Sequence, residues 1–238
     1  MQAAAEGFRI ATKVFVGEEE QPISENTTLF SEGIVYDFLS EPKQTAVFRK
    51  PIGGKPGRFI LLSDKSRVST EVSTDKLTGA MAKVRAWASR QRDPFLQFAA
   101  NPEFKESFEP DTGKLVLASH LESYSVATSP AERPDAMSEY KEFLDWYAQL
   151  NTLLSAGPPP DPRLHLNEAL ARRKAVPLTV ELTRSGEKEP LRAEHDFTWR
   201  LSQDDMNRIE EVRAALSSYR KVENEEFLRL TNDGQPAE

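Results

Sequence analysis

From Phe8 to Val16 the positions Phe8, Ile10, Thr12, Val14 and Val16 alternate with Arg9, Ala11, Lys13 and Phe15. A period of two predicts a β-strand with one mainly apolar face. Thr28 to Leu39 repeats the pattern, with Phe30, Ile34, Tyr36 and Phe38 on one side, and the internal Gly33 predicts a bulge or bend in that strand. Thr45 to Arg49, Arg58 to Ser63 and Arg67 to Val72 read as further short strands. Strands in succession with local turns between them predict an antiparallel meander.

The period then changes. A helix starts at about Asp75, capped by Thr74, with Leu77, Ala80, Met81, Val84, Trp87 and Ala88 on one face, and Pro94 marks its end. Phe95, Leu96 and Phe98 form a short apolar segment. Lys114 to Ser119 and Leu121 to Thr128 resume strand character. Met137 to Ala156 is the longest helical stretch: Tyr140, Phe143, Leu144, Tyr147, Leu150 and Leu154 fall three and four residues apart, and Gly157 with three prolines ends it. Its aromatic face packs as a core helix on a sheet or lines an apolar ligand cavity; both readings stand at this point.

The segment Gly157 to Pro162 is stiff and turns the chain. Leu164, Leu166, Ala169 and Leu170 predict a small helix ending in Arg172-Arg173-Lys174, a solvated basic end. Val176 to Thr183 and Leu191 to Arg200 predict a hairpin, and Ser202 with Asp205 a capping box that opens a helix. The expected organisation is a single α+β domain over 1–230, with a hairpin-helix extension from about 157 and a disordered tail over 231–238.

Composition narrows the function classes. A net charge of -7 with no basic stripe argues against nucleic acid as a partner. No apolar run is long enough for a transmembrane segment. Cysteine is absent, which removes disulfides and thiol chemistry. The loop Pro51 to Gly57 carries glycines and a lysine, but proline and a strand follow where a phosphate loop needs Ser or Thr and a helix. His120, His165 and His195 lie on separate elements in no metal-ligand pattern, and no G-x-S-x-G elbow occurs. No catalytic, cofactor or metal residues are therefore assigned, and the expectation is that the protein is not an enzyme. The alanine-rich start, Met1 to Gly7, is similar to the region around a signal-peptide cleavage site, which predicts an exported protein whose signal peptide has been removed; an ordinary frayed terminus is the alternative reading of the same residues.

The strand, turn and strand units GIVYDFL at Gly33 to Leu39 and RFILLSDKSRVSTEV at Arg58 to Val72, the second followed directly by a helix, resemble the LolA-like group of periplasmic lipoprotein carriers over roughly Phe8 to Thr128. The resemblance implies a curved antiparallel sheet, an incomplete barrel with helices packed on its concave face. It also implies a hydrophobic cavity for lipid or a lipoprotein acyl chain. Phe30, Ile34, Tyr36, Phe38, Trp87, Phe143, Tyr147 and Leu150 are the lining expected on that reading. YKEFLDWYAQLN at Tyr140 to Asn151 and PDPRLHLNEAL at Pro160 to Leu170 further resemble a set of exported bacterial proteins with no assigned activity. The alternative is a cell-envelope interaction module that binds a protein partner and no small molecule.

Overall fold

The structure, a computed structural model, describes residues 7–41 and 43–232. The expectations for the leader-like residues ahead of Gly7 and for the tail beyond Asn232 fall outside them. The fold is α+β, with twelve mostly antiparallel strands and six α-helices among the described residues. The strands are β1 (Phe8–Val16), β2 (Ser24–Ser31), β3 (Ile34–Leu39), β4 (Gln44–Arg49), β5 (Arg58–Ser63), β6 (Val68–Ser73), β7 (Lys105–Glu109), β8 (Lys114–Ala118), β9 (Glu122–Pro130), β10 (Ala175–Arg184), β11 (Leu191–Thr198) and β12 (Arg220–Lys221). The helices are α1 (Thr74–Ala88), α2 (Pro94–Ala100), α3 (Met137–Ser155), α4 (Asp161–Arg172), α5 (Gln203–Ser218) and α6 (Asn224–Asn232).

The chain forms two compact units. The first takes residues 7–11, Ser24–Thr74 and 197–232, and its strands run β12-β6-β5-β4-β3-β2-β1. The second takes Thr12–Ile23 and Asp75–Asp196, with the remainder of β1 followed by β11-β10-β9-β8-β7. Neither set closes into a barrel.

In the first unit the meander is paired residue by residue, and two rows decide its architecture. Leu29, Tyr36, Val47 and Ile60 are direct cross-strand neighbours on β2 to β5. With Leu62 they form the buried core against Ile209 and Val212 of α5. On the other side of the sheet Phe30 pairs with Val35, Val35 with Phe48, Phe48 with Phe59 and Phe59 with Val72, all buried. The single bent strand expected over Thr28 to Leu39 is thus corrected to two strands. Glu32 and Gly33 both take positive φ, 54° and 72°, the geometry of a two-residue hairpin turn, and Gly33 supplies it at no steric cost. The turn restarts the alternation, so Phe30 faces away from Ile34, Tyr36 and Phe38 and does not share their side.

The helix α5 opens with the expected capping box: Asp205 N donates to Ser202 Oγ at 3.1 Å, and Ser202 N donates to Asp205 Oδ2 at 2.9 Å. Two further elements of this unit carry no sequence expectation. β12 pairs parallel to β6, and α6 packs on β6 with Phe227 buried and Thr70 Oγ1 donating to Asn224 Oδ1 at 2.6 Å. Between β4 and β5 the loop Pro51 to Gly57 is a tight exposed turn in which Ile52 and Lys55 bridge each other; Gly53 and Gly54 have positive φ and nothing around them.

In the second unit α4 lays Leu166, Ala169 and Leu170 on Leu115, Leu117, Tyr124, Val126 and Val180 of the sheet. α3 packs on α4, where Asp145 accepts from Lys141 Nζ at 2.6 Å and Asn167 Nδ2 at 2.8 Å. Pro177 sits at a register shift between β10 and β9, and Leu178 at the bulge is exposed. The apolar segment at Phe95 is the helix α2, capped by Asp93. The basic triplet after α4 is more than a solvated end. Arg172 Nη2 reaches Glu106 Oε2 of β7 at 2.7 Å, and Arg173 bonds the other oxygen of the same carboxylate.

Candidate functional site

Two residues further along β3 from the packed Tyr36 row lies a second row, Thr27, Phe38, Thr45 and Leu62, which crosses β2, β3, β4 and β5 as direct neighbours on the α5 side. Here α5 does not fill the space. A cleft of about 510 Å³ remains, lined by that row with Leu39 and Ser40 below, Arg208, Val212 and Ala215 of α5 above, and Lys43, Asp64, Glu211 and Tyr219 around it. The volume falls within the roughly 300–1,000 Å³ of small-molecule sites.

The cleft is apolar in its floor and charged around it. Phe38, Leu39, Leu62, Val212 and Ala215 supply the apolar part. Asp64 is occupied, accepting from Tyr219 Oη at 2.9 Å and lying 3.6 Å from Lys43 Nζ. Arg208 is different. Its guanidinium lies over the Phe38 ring, 4.0 Å from the centroid, and no carboxylate comes within ion-pair distance of it among the described residues. Burial lowers its pKa from the ordinary guanidinium value; the Asp205 and Glu211 charges act the other way and Arg9 adds to the lowering. Arginine remains charged at any physiological pH, so a half-buried cation faces an apolar floor.

Of the eight residues expected to line a cavity, Phe38 contributes to this cleft. Ile34 and Tyr36 pack in the core beside it, under α5. Phe30, on the opposite side of the sheet, stacks on Phe8 with ring centroids 4.1 Å apart. Trp87 is exposed, at 52% of its surface. In the second unit Phe143 and Leu150 are buried on α3, and Tyr147 is half-buried with its ring 5.1 Å from that of Phe143. The structure therefore gathers Ile34, Tyr36 and Phe38 on one surface, and places the α3 aromatics in the other unit.

Sequence reasoning missed Arg208, Thr27 and Thr45. Phe38 and Leu62 could be read from alternation, but which polar residues stand beside them depends on strand register, and Arg208 arrives from a helix far along the chain. No group of three or more His, Asp or Glu side chains is placed to hold a metal ion among the described residues. Among the described residues no helix is long and apolar enough to cross a membrane. In comparisons with known proteins, no family model matches the chain and no curated protein matches it in sequence.

Proposed function

We propose that the protein is a non-enzymatic carrier or binding protein of the periplasm, and that its ligand is an acyl chain with an anionic head held in the α5 cleft of the first unit. One observation carries this reading: the unpaired Arg208 guanidinium over an apolar floor of Phe38 and Leu62. A cation taken partly out of water without a partner is costly, and a carboxylate or phosphate head would compensate it with charge-assisted hydrogen bonds. The apolar floor would take the first part of the chain. Localisation and the LolA-like, curved half-barrel description are parts of the same proposal and rest on the resemblances in the sequence.

The test is calorimetric titration of palmitate and of its uncharged alcohol. Palmitate is expected to bind one per chain; Arg208→Gln weakens it on the order of tenfold, the worth of one charge-assisted hydrogen bond, and leaves the alcohol unchanged. Phe38→Ala weakens both. Absence of saturable binding of either compound would remove the carrier reading, and a stoichiometric protein co-purifying with the bare chain would put an interaction module in its place.

A further inference from the structure

The second unit contains a separate concavity of about 250 Å³, bounded by α2, α3, the proline turn, the start of α4 and the strands β9 and β10. Phe95, Ala148 and Pro158 give it apolar walls, and two arginines, Arg163 and Arg184, line it together with Glu122. Arg184 is engaged: its Nε donates to Glu122 Oε2 at 2.7 Å, and its guanidinium lies over the Phe95 ring at 5.4 Å. Glu187 approaches Arg184 at 3.7 Å from the more exposed side. Glu122 itself is sealed, its side chain 1% exposed.

Arg163 has no such partner. It is half-buried in the first turn of α4 and makes no ion pair or side-chain hydrogen bond with a described residue. Its neighbours by charge are Tyr124, Tyr140 and His195. None of them offers an anion: burial pushes the Tyr140 phenol up to about 12, and Tyr124 is also pushed up, by burial and by Glu122. Two cations against the one carboxylate in the lining leave an excess of one positive charge in a pocket with apolar walls.

We propose that this pocket binds a small monocarboxylate with an apolar body, its carboxylate taken by Arg163 and its body set against Phe95, Ala148 and Pro158. Two features select the class. A single negative charge matches the excess, whereas the more highly charged phosphate would meet the fixed carboxylate of Glu122 in the same wall. The planar guanidinium fork suits a carboxylate bidentately. The site is independent of the acyl cleft, since Arg208 and Arg163 belong to different units.

The experiment is a chemical-shift titration of the full chain with benzoate, butyrate and inorganic phosphate, repeated on Arg163→Gln, Arg163→Lys, Arg208→Gln and the exposed control Arg90→Gln. Benzoate is expected to saturate a site reported by perturbed amides on α2, α3 and the proline turn, and the affinity is read from those amides. Affinity should fall at least roughly tenfold in Arg163→Gln, less in Arg163→Lys, and not at all in the other two variants. Because Arg163 holds no partner, its variants are expected to keep the wild-type melting temperature, which the same samples report. No saturable carboxylate binding, unchanged affinity in Arg163→Gln, or tighter binding of phosphate than of benzoate would each overturn the assignment. A loss confined to Arg208→Gln would move carboxylate binding to the acyl cleft and likewise overturn it.

Discussion

At the scale of single residues the chain treats ionisable groups drawn partly or wholly out of water in two ways. Glu122 and Arg184 face each other across β9 and β10 and neutralise one another. His195 is instead held without charge. Its Nδ1 lies 2.9 Å from Thr12 Oγ1, its Nε2 is shut off from solvent with no partner, and burial, with the Arg163 charge adding, pushes its pKa down to about 3. The unfolded chain takes up that proton near the ordinary 6.5, so acid favours unfolding. The contribution of His195 is fully present above pH 6.5 and lost as pH falls towards 3, by at most about 1.4 kcal/mol per pH unit. Urea unfolding at pH 7, 5 and 4 checks this: His195→Gln should flatten the acid side of the stability profile, and an unchanged slope would refute it. In the sequence His195 stands apart from any metal-ligand pattern, which leaves a structural or a surface role open. Its bond to Thr12 could not be seen, because the two residues are 183 positions apart.

Among the elements, alternation and capping located most strands and helices to within a residue or two, since both depend on neighbours in sequence. Failures occurred where a longer-range partner decides. One strand was expected where β2 and β3 pair as a hairpin, because the alternation of Phe30 with Ile34, Tyr36 and Phe38 runs through the turn unbroken by count. The short β12 pairs with β6, and α6 packs on the same strand, partners more than 140 residues away in the chain. The end of α3 is instructive. Gly157 was the expected stop, yet Ala156 adopts the left-handed conformation at φ 50°, and Gly157 N donates to Thr152 O at 3.0 Å. A left-handed L-residue costs roughly 1–2 kcal/mol, and glycine's own entropic cost takes back roughly 0.5–1. Ala156→Gly is therefore expected to stabilise the protein by up to about 1 kcal/mol in thermal or urea unfolding. Destabilisation would show that the methyl group is needed where it sits.

Across the whole molecule the order of segments matters more than any one contact. The second unit is built largely from one continuous run, Asp75–Asp196, whereas the first is assembled from three separated segments. Val222 N donates to Ser69 O at 2.8 Å across 153 residues of chain, while β8 and β9 pair through a short turn. Closing a long loop costs more entropy than closing a short one, and distant pairings form late. Pulsed hydrogen exchange during refolding should therefore protect β8 and β9 amides before that of Val222; the reverse order would contradict the topology argument. This division was not legible in the sequence. The stiff turn at Gly157 to Pro162, from which the sequence predicts a hairpin-helix extension, lies inside the second unit, where Thr152 Oγ1 donates to Pro158 O at 3.1 Å. Proline stiffens a local path, but contacts between distant segments set where a compact unit ends.

The exposed turn between β4 and β5 has a practical use. Ile52 and Lys55 pin its base, Gly53 and Gly54 stand in open space, and the chain contains no cysteine. A cysteine in place of Lys55 would be the molecule's sole thiol, on a side chain that lines neither the α5 cleft nor the Arg163 pocket. One maleimide dye would then label one position, giving a fluorescent reporter or surface tether for both ligand titrations without occupying either site.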